Sequence, residues 1–468
     1  MGIRHIIVLS TVVGLCLLSP LKPVWGLFGY YWFAMMRPDI LSWTGPNRYS
    51  FMLAVATLLS NLPVILRNLP MVVTNSTLRN LLLFLLVVTI SVVTAVDPSL
   101  CMDRYEQFLR IFVMSLVIPL ILTSMDQLRW FFVVLAGSLG LLGAKFGLWG
   151  LMRGGVVIRQ GYGGMLSDNN TMALAFAMAV PLCWYARLLM PWKLARLGFT
   201  AAGLASMAAV VFTHSRGGVL ALAAGLLLVT LMERRKMLAM LVLTAACSGV
   251  AYLVWDSFSS RMSTLKNPEA EASARGRIEL ARAAPRLWLD YPLFGVGFTE
   301  RNQQKLIFKY VPPERAAEHA GMVLHNNWLQ ILVDSGIFAF LIYVWLVFHT
   351  LFRCWLEGRK WVKQGDTAMA AIPNAIAASI GIFVVGSTFL SRTSFDLLYV
   401  LLCTAAAWAE IRKRAVPTME ALPAAGLPAP MPQPQAAAPE EPAPEAARRI
   451  GFGRVRETRR RTGVSGAR

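Results

Sequence analysis

The sequence predicts an all-α polytopic membrane protein. Apolar residues make up 56% of the 468-residue chain and charged residues only 15%, against about 45–50% and about 25% in soluble domains. Mean hydropathy is +0.55. The apolar residues fall into recurring runs of span length, and a transmembrane helix needs about 20 of them. A transmembrane barrel would show alternating segments of about 10 residues instead, a pattern the sequence lacks.

Taken in order, the first 36 residues hold either one broken span or two short ones around Ser19-Pro20-Leu21-Lys22-Pro23. Their basic start and short apolar core lack a small-x-small cleavage site, so the segment is expected to be retained. Further apolar runs lie near 50–66, 79–96, 107–122, 129–149, 170–186, 196–213, 217–232, 236–254, 326–352, 367–390 and 395–411. Together they predict about 12 or 13 spans.

Orientation follows from the basic loops. The segments 187–196, 233–236 and 353–363 and the C-terminal tail are rich in Lys and Arg, which places them in the cytoplasm. The loops 37–49, 97–106, 150–169, 214–216 and the long 255–325 then face outward, to the periplasm or its equivalent. Three regions result: an N-terminal transmembrane region 1–195, a second transmembrane domain 196–411 containing the 255–325 loop, and a tail 412–468. The tail has a Pro/Ala-rich linker over 417–447 and then a basic cluster, RRIGFGRVRETRRRTG. Disorder is expected for the linker, and anionic lipid headgroups are the expected partner of the cluster. The net charge of +20 therefore does not point to nucleic acid. Six scattered cysteines, Cys16, Cys101, Cys183, Cys247, Cys354 and Cys403, show neither a disulfide framework nor metal spacing. No cofactor is expected.

The outward loops hold the polar residues of interest. Residues 255–325 carry ten Lys and Arg: Arg261, Lys266, Arg275, Arg277, Arg282, Arg286, Arg301, Lys305, Lys309 and Arg315. Arginine suits phosphate because its planar fork binds two oxygens at once. Residues 274–285 read as an amphipathic helix, with Arg275, Arg282 and Arg286 on one face and Arg277 on another. The following DYPLFGVGF reads as a tight turn; its GxG is weak for nucleotide binding without a βαβ setting. In VVFTHSRGGVLALAAG, Arg216 stands between two spans beside His214 and Ser215. It is either a snorkelling arginine at a helix end or an anion-binding one. In RQGYGGMLSDNNTMALAF, Arg159, Asp168, Asn169 and Asn170 precede a span; helix capping by Asp168 or Asn169 is the bland alternative there. In VLHNNWLQILVDSGI, His325, Asn326 and Asn327 open a long apolar run. Asp334, nine residues after His325, does not stack beneath it, so no dyad is expected.

With HSRGG, ARGRIELA, YPLFGVG and HNNWLQILVDSG in that order, the chain resembles the O-antigen ligase/polymerase superfamily, most closely over about 200–350. MGIRHIIVL…FAMMRPDILSW and SDNNTMALAF are similar to its branch of O-glycosylation ligases found beside exosortase A. The resemblance implies a metal-independent membrane glycosyltransferase of GT-C type. Such an enzyme moves a glycan from an undecaprenyl-diphosphate carrier to an acceptor hydroxyl on a protein, lipid or polysaccharide. It implies diphosphate binding by Arg216 and Arg277 and a catalytic role for His325. Relatives carry Trp four residues after the second arginine, where this chain has Ala281, so Arg275 stays open as the equivalent of Arg277. His214 and His319 are rivals to His325; Asn326 and Asp168 are accessory candidates.

Elementary chemistry agrees. A diphosphate leaving group needs fixed cations or a metal, and the chain has no Asp-x-Asp pair, a common motif in metal-dependent sugar transfer. The acceptor hydroxyl needs a base, and an unperturbed histidine titrates near pH 6.5. A repeat-unit polymerase using the same donor is the alternative. A transporter would need charge near the midplane, for which only Lys145 and Asp396 are available. A scaffold using the basic tail is the third class.

Overall fold

The computed structural model describes residues 2–42, 48–153, 158, 160–163, 166–233, 272–319 and 321–420. The predicted spans 236–254, Arg159, Arg261, Lys266, Cys247 and the tail from 421 lie outside those residues. Among the described residues the protein is helical apart from one small hairpin, as the sequence predicts.

The first 36 residues form two helices, α1 (Ile3–Leu21) and α2 (Pro23–Met36). They are antiparallel: a Cβ on Gly26 would meet Ser19, and one on Gly29 would meet Leu15. Pro23 opens α2 at a position that needs no amide donor. There follow α3 (Tyr49–Asn68), α4 (Ser76–Val93), α5 (Met102–Ile121), α6 (Met125–Met152), the strands β1 (Gln160–Gly163) and β2 (Leu166–Asp168), α7 (Asn169–Leu189), α8 (Lys193–Phe212) and α9 (Arg216–Met232). Beyond 271 come α10 (Ala272–Asp290), α11 (Glu300–Leu306), α12 (Asn327–Lys363), α13 (Thr367–Gly386) and α14 (Asp396–Glu420).

Among the described residues eight helices have the length and apolarity to cross a bilayer: α1, α3, α4, α6, α7, α8, α12 and α13 with its short 3-10 extension. In the other predicted runs, α2 and α9 are short, with 14 and 17 residues, and α5 carries Asp103, Arg104, Glu106 and Arg110 in its first turns. The centre of the bundle is α7, packed by α6, α8, α9 and α13. Burial makes the layering plain: 78% of the apolar span is buried in α7 and in α13, against 17% in α1. Both central helices are rich in alanine, NNTMALAFAMAVPLCW and TAMAAIPNAIAASIG. Small side chains let helix backbones approach closely, which is what drives packing where lipid is as apolar as the core.

The two ends of the bundle differ as the charge pattern predicts. One end joins the basic loops: Trp184 Nε1 donates to Glu233 at 3.1 Å, Arg412 pairs with Glu357, and Arg414 donates to Asn68 at 3.2 Å. The other end gathers the predicted outward loops. There the amide of Val96 donates to the carbonyl of Val296 at 3.0 Å, Lys305 Nζ lies 2.9 Å from Asp97, and Arg104 pairs with Glu300.

At that second end α10 runs over the range read as amphipathic, extended to Asp290. Leu280, Ala283, Ala284 and Leu287 are buried against Val296, Ile307, Val311, Leu324 and Val333. Each fully buried leucine stabilises this cap by roughly 1.5–3 kcal/mol. The GxG of YPLFGVGF serves packing. Gly295 has φ +72°, and a Cβ there would sit 2.4 Å from the backbone of Val333 and Asp334. The amides of Val296 and Gly297 donate to the carbonyls of Val333 and Asp334, both at 2.9 Å. Those carbonyls are available because α12 is interrupted at Gly336, φ +74° and ψ −174°. The run that begins at Asn327 is therefore a short outer segment followed by a long helix.

Candidate functional site

Four segments at that second end converge. The turn 213–216 is built by its neighbours. Ser215 caps α9, its Oγ accepting from the Gly218 amide at 3.2 Å and donating to Asn170 Oδ1 at 2.7 Å. Asn169 Nδ2 donates to the Thr213 carbonyl at 3.2 Å. These bonds fix the start of α9 against the start of α7. The glycines of SRGG let the helices meet: a Cβ on Gly218 would lie 2.4 Å from the Cβ of Ala173 in α7. Gly218→Val should therefore destabilise the protein by about 1–3 kcal/mol through overpacking, seen as a lower melting temperature. Arg216 is the first residue of α9, so its guanidinium adds to the partial positive charge of a helix N-terminus, an arrangement that favours anions.

The hairpin β1–β2 pairs Gln160 with Asp168 and Gly163 with Leu166, and delivers Asp168 to the start of α7. The capping reading holds for Asp168. Its Oδ1 accepts from the amides of Asn170 and Thr171 at 2.9 and 3.1 Å, and Thr171 completes a capping box. Its negative charge also acts on both His325 and Arg392.

His325 lies just before α12, half-buried, with φ +52°. Among the described residues only Arg37, His214 and His325 are non-glycine residues with positive φ. Such strain, about 1–3 kcal/mol, persists where surrounding structure fixes it, often at functional sites. Asn326 does the fixing: its Oδ1 accepts from the amides of Trp328 and Leu329 at 3.0 and 3.1 Å, an N-cap. Asn327 is fully buried, donating to Tyr343 Oη at 2.9 Å and accepting from the Arg392 amide at 3.3 Å. Burial lowers the proton affinity of His325 below the usual histidine range, and the Arg277 charge lowers it further; Asp168 opposes both. A neutral imidazole at pH 7 is the form that accepts a proton. Asp334 pairs with Gln330 at 2.7 Å, within its own helical segment.

The electrostatics separate the two arginines of ARGRIELA. Arg277 acts on His325, whereas Arg275 acts on Glu279. The rival His319 is engaged: its Nε2 lies 2.6 Å from Glu279, which also pairs with Arg315. The His319 hydrogen bond and the Arg315 charge hold the Glu279 carboxyl below its ordinary range. This clamp ties the helix bearing Arg277 to the segment that leads into His325. Glu279→Ala should lower activity by loosening Arg277 while leaving the bundle folded; transfer rate and melting temperature, measured together, check it.

Arg392 is the residue sequence reasoning missed. It lies between α13 and α14, and its Nη1 donates to Ser167 Oγ at 3.0 Å. Burial and the neighbouring Arg104 lower its proton affinity, opposed by Asp396, Asp168 and Glu300. The signal was present: Ser391-Arg392-Thr393-Ser394 is a short basic turn between apolar runs, the same pattern as HSRGG. Asp396 opens α14 at this end; Lys145 lies within α6. Among the described residues no three His, Cys, Asp or Glu side chains gather as a metal site.

Residues 201–344 match the O-antigen ligase family model. The matched stretch runs from within α8 to within α12, and holds Arg216, Arg277 and His325. It supports a membrane glycan ligase or polymerase type of role. No curated protein matches the chain.

Proposed function

We propose that this protein is a glycosyltransferase of the bacterial inner membrane, working on the periplasmic side, that transfers a glycan from undecaprenyl diphosphate to an acceptor hydroxyl. The observation that carries this is His325, held at positive φ before α12, its proton affinity lowered by burial and by Arg277, inside the stretch that matches the O-antigen ligase model. His325 takes the proton of the acceptor hydroxyl. The acceptor oxygen bonds to the anomeric carbon of the donor sugar as the bond from that carbon to the diphosphate oxygen breaks. Arg216 and Arg277 stabilise the charge that develops on the leaving diphosphate, in the role a metal ion fills elsewhere. The acceptor is a protein, lipid or polysaccharide. The likeness of the N-terminal segments to exosortase-associated O-glycosylation ligases favours a ligase over a repeat-unit polymerase. The basic tail adds attraction to anionic lipid.

Purified protein in proteoliposomes, supplied with lipid-linked donor and acceptor, tests this reading. A ligase yields acceptor carrying one donor glycan; a ladder of repeats on the carrier shows a polymerase. Donor movement across the vesicle without any new glycosidic bond supports the transporter reading instead. Deleting residues 421–468 should leave transfer intact, and loss of transfer on that deletion would make the tail part of the machinery.

A further inference from the structure

At the end of the bundle opposite His325, α1, α2 and α6 enclose a groove of about 1040 Å³. Its wall on α6 is a single stripe, with Trp130, Val134, Gly137 and Leu141 spaced at four, three and four residues. From Asp126 to Leu141 the stripe rises about 22 Å, at 1.5 Å per residue. A bilayer's hydrocarbon core is about 30 Å thick, so the groove runs the depth of one leaflet and somewhat beyond. It stops eleven residues short of Met152, where α6 ends before the β-hairpin that carries Asp168.

The mouth of the groove is polar and carries both signs of charge. Lys22, from the turn between α1 and α2, and Asp126, from the start of α6, both line it. Arg129 approaches Asp126 only loosely, at 3.6 Å, and the Asp126 side chain is 85% exposed. Trp25 and Trp130 stand beside the mouth, 49% and 48% exposed. Tryptophan favours the headgroup level, where its ring is buried and its N–H stays wet.

We propose that this groove is a binding site for one phospholipid of the leaflet at that end, with a zwitterionic, amine-bearing headgroup. The lipid phosphate sits on the Lys22 ammonium and its amine on the Asp126 carboxylate. An acyl chain lies along Val134, Gly137 and Leu141. Charge complementarity selects the headgroup: a purely anionic lipid would meet the Asp126 carboxylate with no cation of its own. The donor fits this mouth poorly. A carrier whose diphosphate lies at the His325 face has its polar end beyond the far end of α6, away from Lys22 and Asp126, and its prenyl chain offers no amine to Asp126. The site is independent of the proposed reaction.

The test is to purify the full chain in mild detergent from membranes holding amine-bearing phospholipids, anionic phospholipids and polyprenyl phosphates. The lipids that co-purify are then quantified by mass spectrometry. The amine-bearing phospholipid should be enriched over its share of the membrane. Val134→Trp, which fills the groove, should abolish the enrichment. Asp126→Asn alters an exposed side chain and keeps the fold; it should shift the retained lipid toward the anionic class. Three results would overturn the proposal: wild-type lipids matching bulk membrane, polyprenyl phosphate as the species displaced by Val134→Trp, or no headgroup shift in Asp126→Asn.

Discussion

Arg277→Gln and Arg216→Gln should each slow glycan transfer by about 10²–10³-fold, the usual effect of removing one fixed donor from a developing negative charge. Glutamine keeps much of the length and some hydrogen bonding but no charge. Neither variant should unfold the bundle, because both side chains are only partly buried and the capping bonds around Arg216 come from Ser215. Arg277→Gln carries a second expected consequence. The Arg277 charge helps to depress the proton affinity of His325, so its removal raises that affinity. The acid limb of the pH–rate profile should then move to higher pH. Arg275→Gln is the control: its charge acts on Glu279, and both the rate and the acid limb should change far less.

His325 is expected to give the largest effect. His325→Asn should lower transfer by about 10²–10⁴-fold, the range for losing a general base. Asparagine is the substitution of choice because it tolerates the positive φ that His325 adopts, so lost activity is not lost backbone. The pH dependence follows from the direction of the shift. A base must be neutral to act, and His325 titrates below the usual 6.5. Transfer should therefore persist into mildly acidic solution and fall only as pH drops through that lowered value. Asp168→Asn removes the charge that opposes the depression but keeps a capping side chain. The acid limb should then move further down. Rate measured against pH for wild type and Asp168→Asn checks the sign.

Much of this architecture was legible in the sequence for plain physical reasons. Apolar runs must become helices in lipid, since every backbone polar group has to be satisfied within the segment. The amphipathic reading of residues 274–285 held because its apolar residues fall on one helical face and pack on a core of their own. The interruption at Gly336 was not legible. It depends on the amides of Val296 and Gly297, some forty residues earlier, reaching the carbonyls of Val333 and Asp334. No local pattern reports such a long-range backbone pairing. The same holds for Glu279: on a helix surface it reads as one more solvated charge, and only the fold brings His319 and Arg315 to it.

The candidate site was legible in its residue types and only partly in its partners. Asp168 and Asn169 both stood as capping candidates before an apolar run, and Asp168 is the one that caps; Asn326 caps the next such run. That Asp168 also places a charge near His325 and Arg392 is a property of the assembled loops. Spacing alone left Arg275 and Arg277 both open; that the Arg277 charge acts on His325 and the Arg275 charge on Glu279 is a property of the assembled loops. Arg392 was passed over because three polar neighbours in a short turn look like any interhelical connection.

The most direct measurement is glycan transfer from a purified lipid-linked donor, in EDTA, by wild type and His325→Asn at matched melting temperatures. The expected result is an active wild type and a His325→Asn variant slower by about 10²–10⁴-fold. A His325→Asn variant as fast as wild type, or a wild type silenced by EDTA, would contradict base catalysis by His325 beside an arginine-held diphosphate.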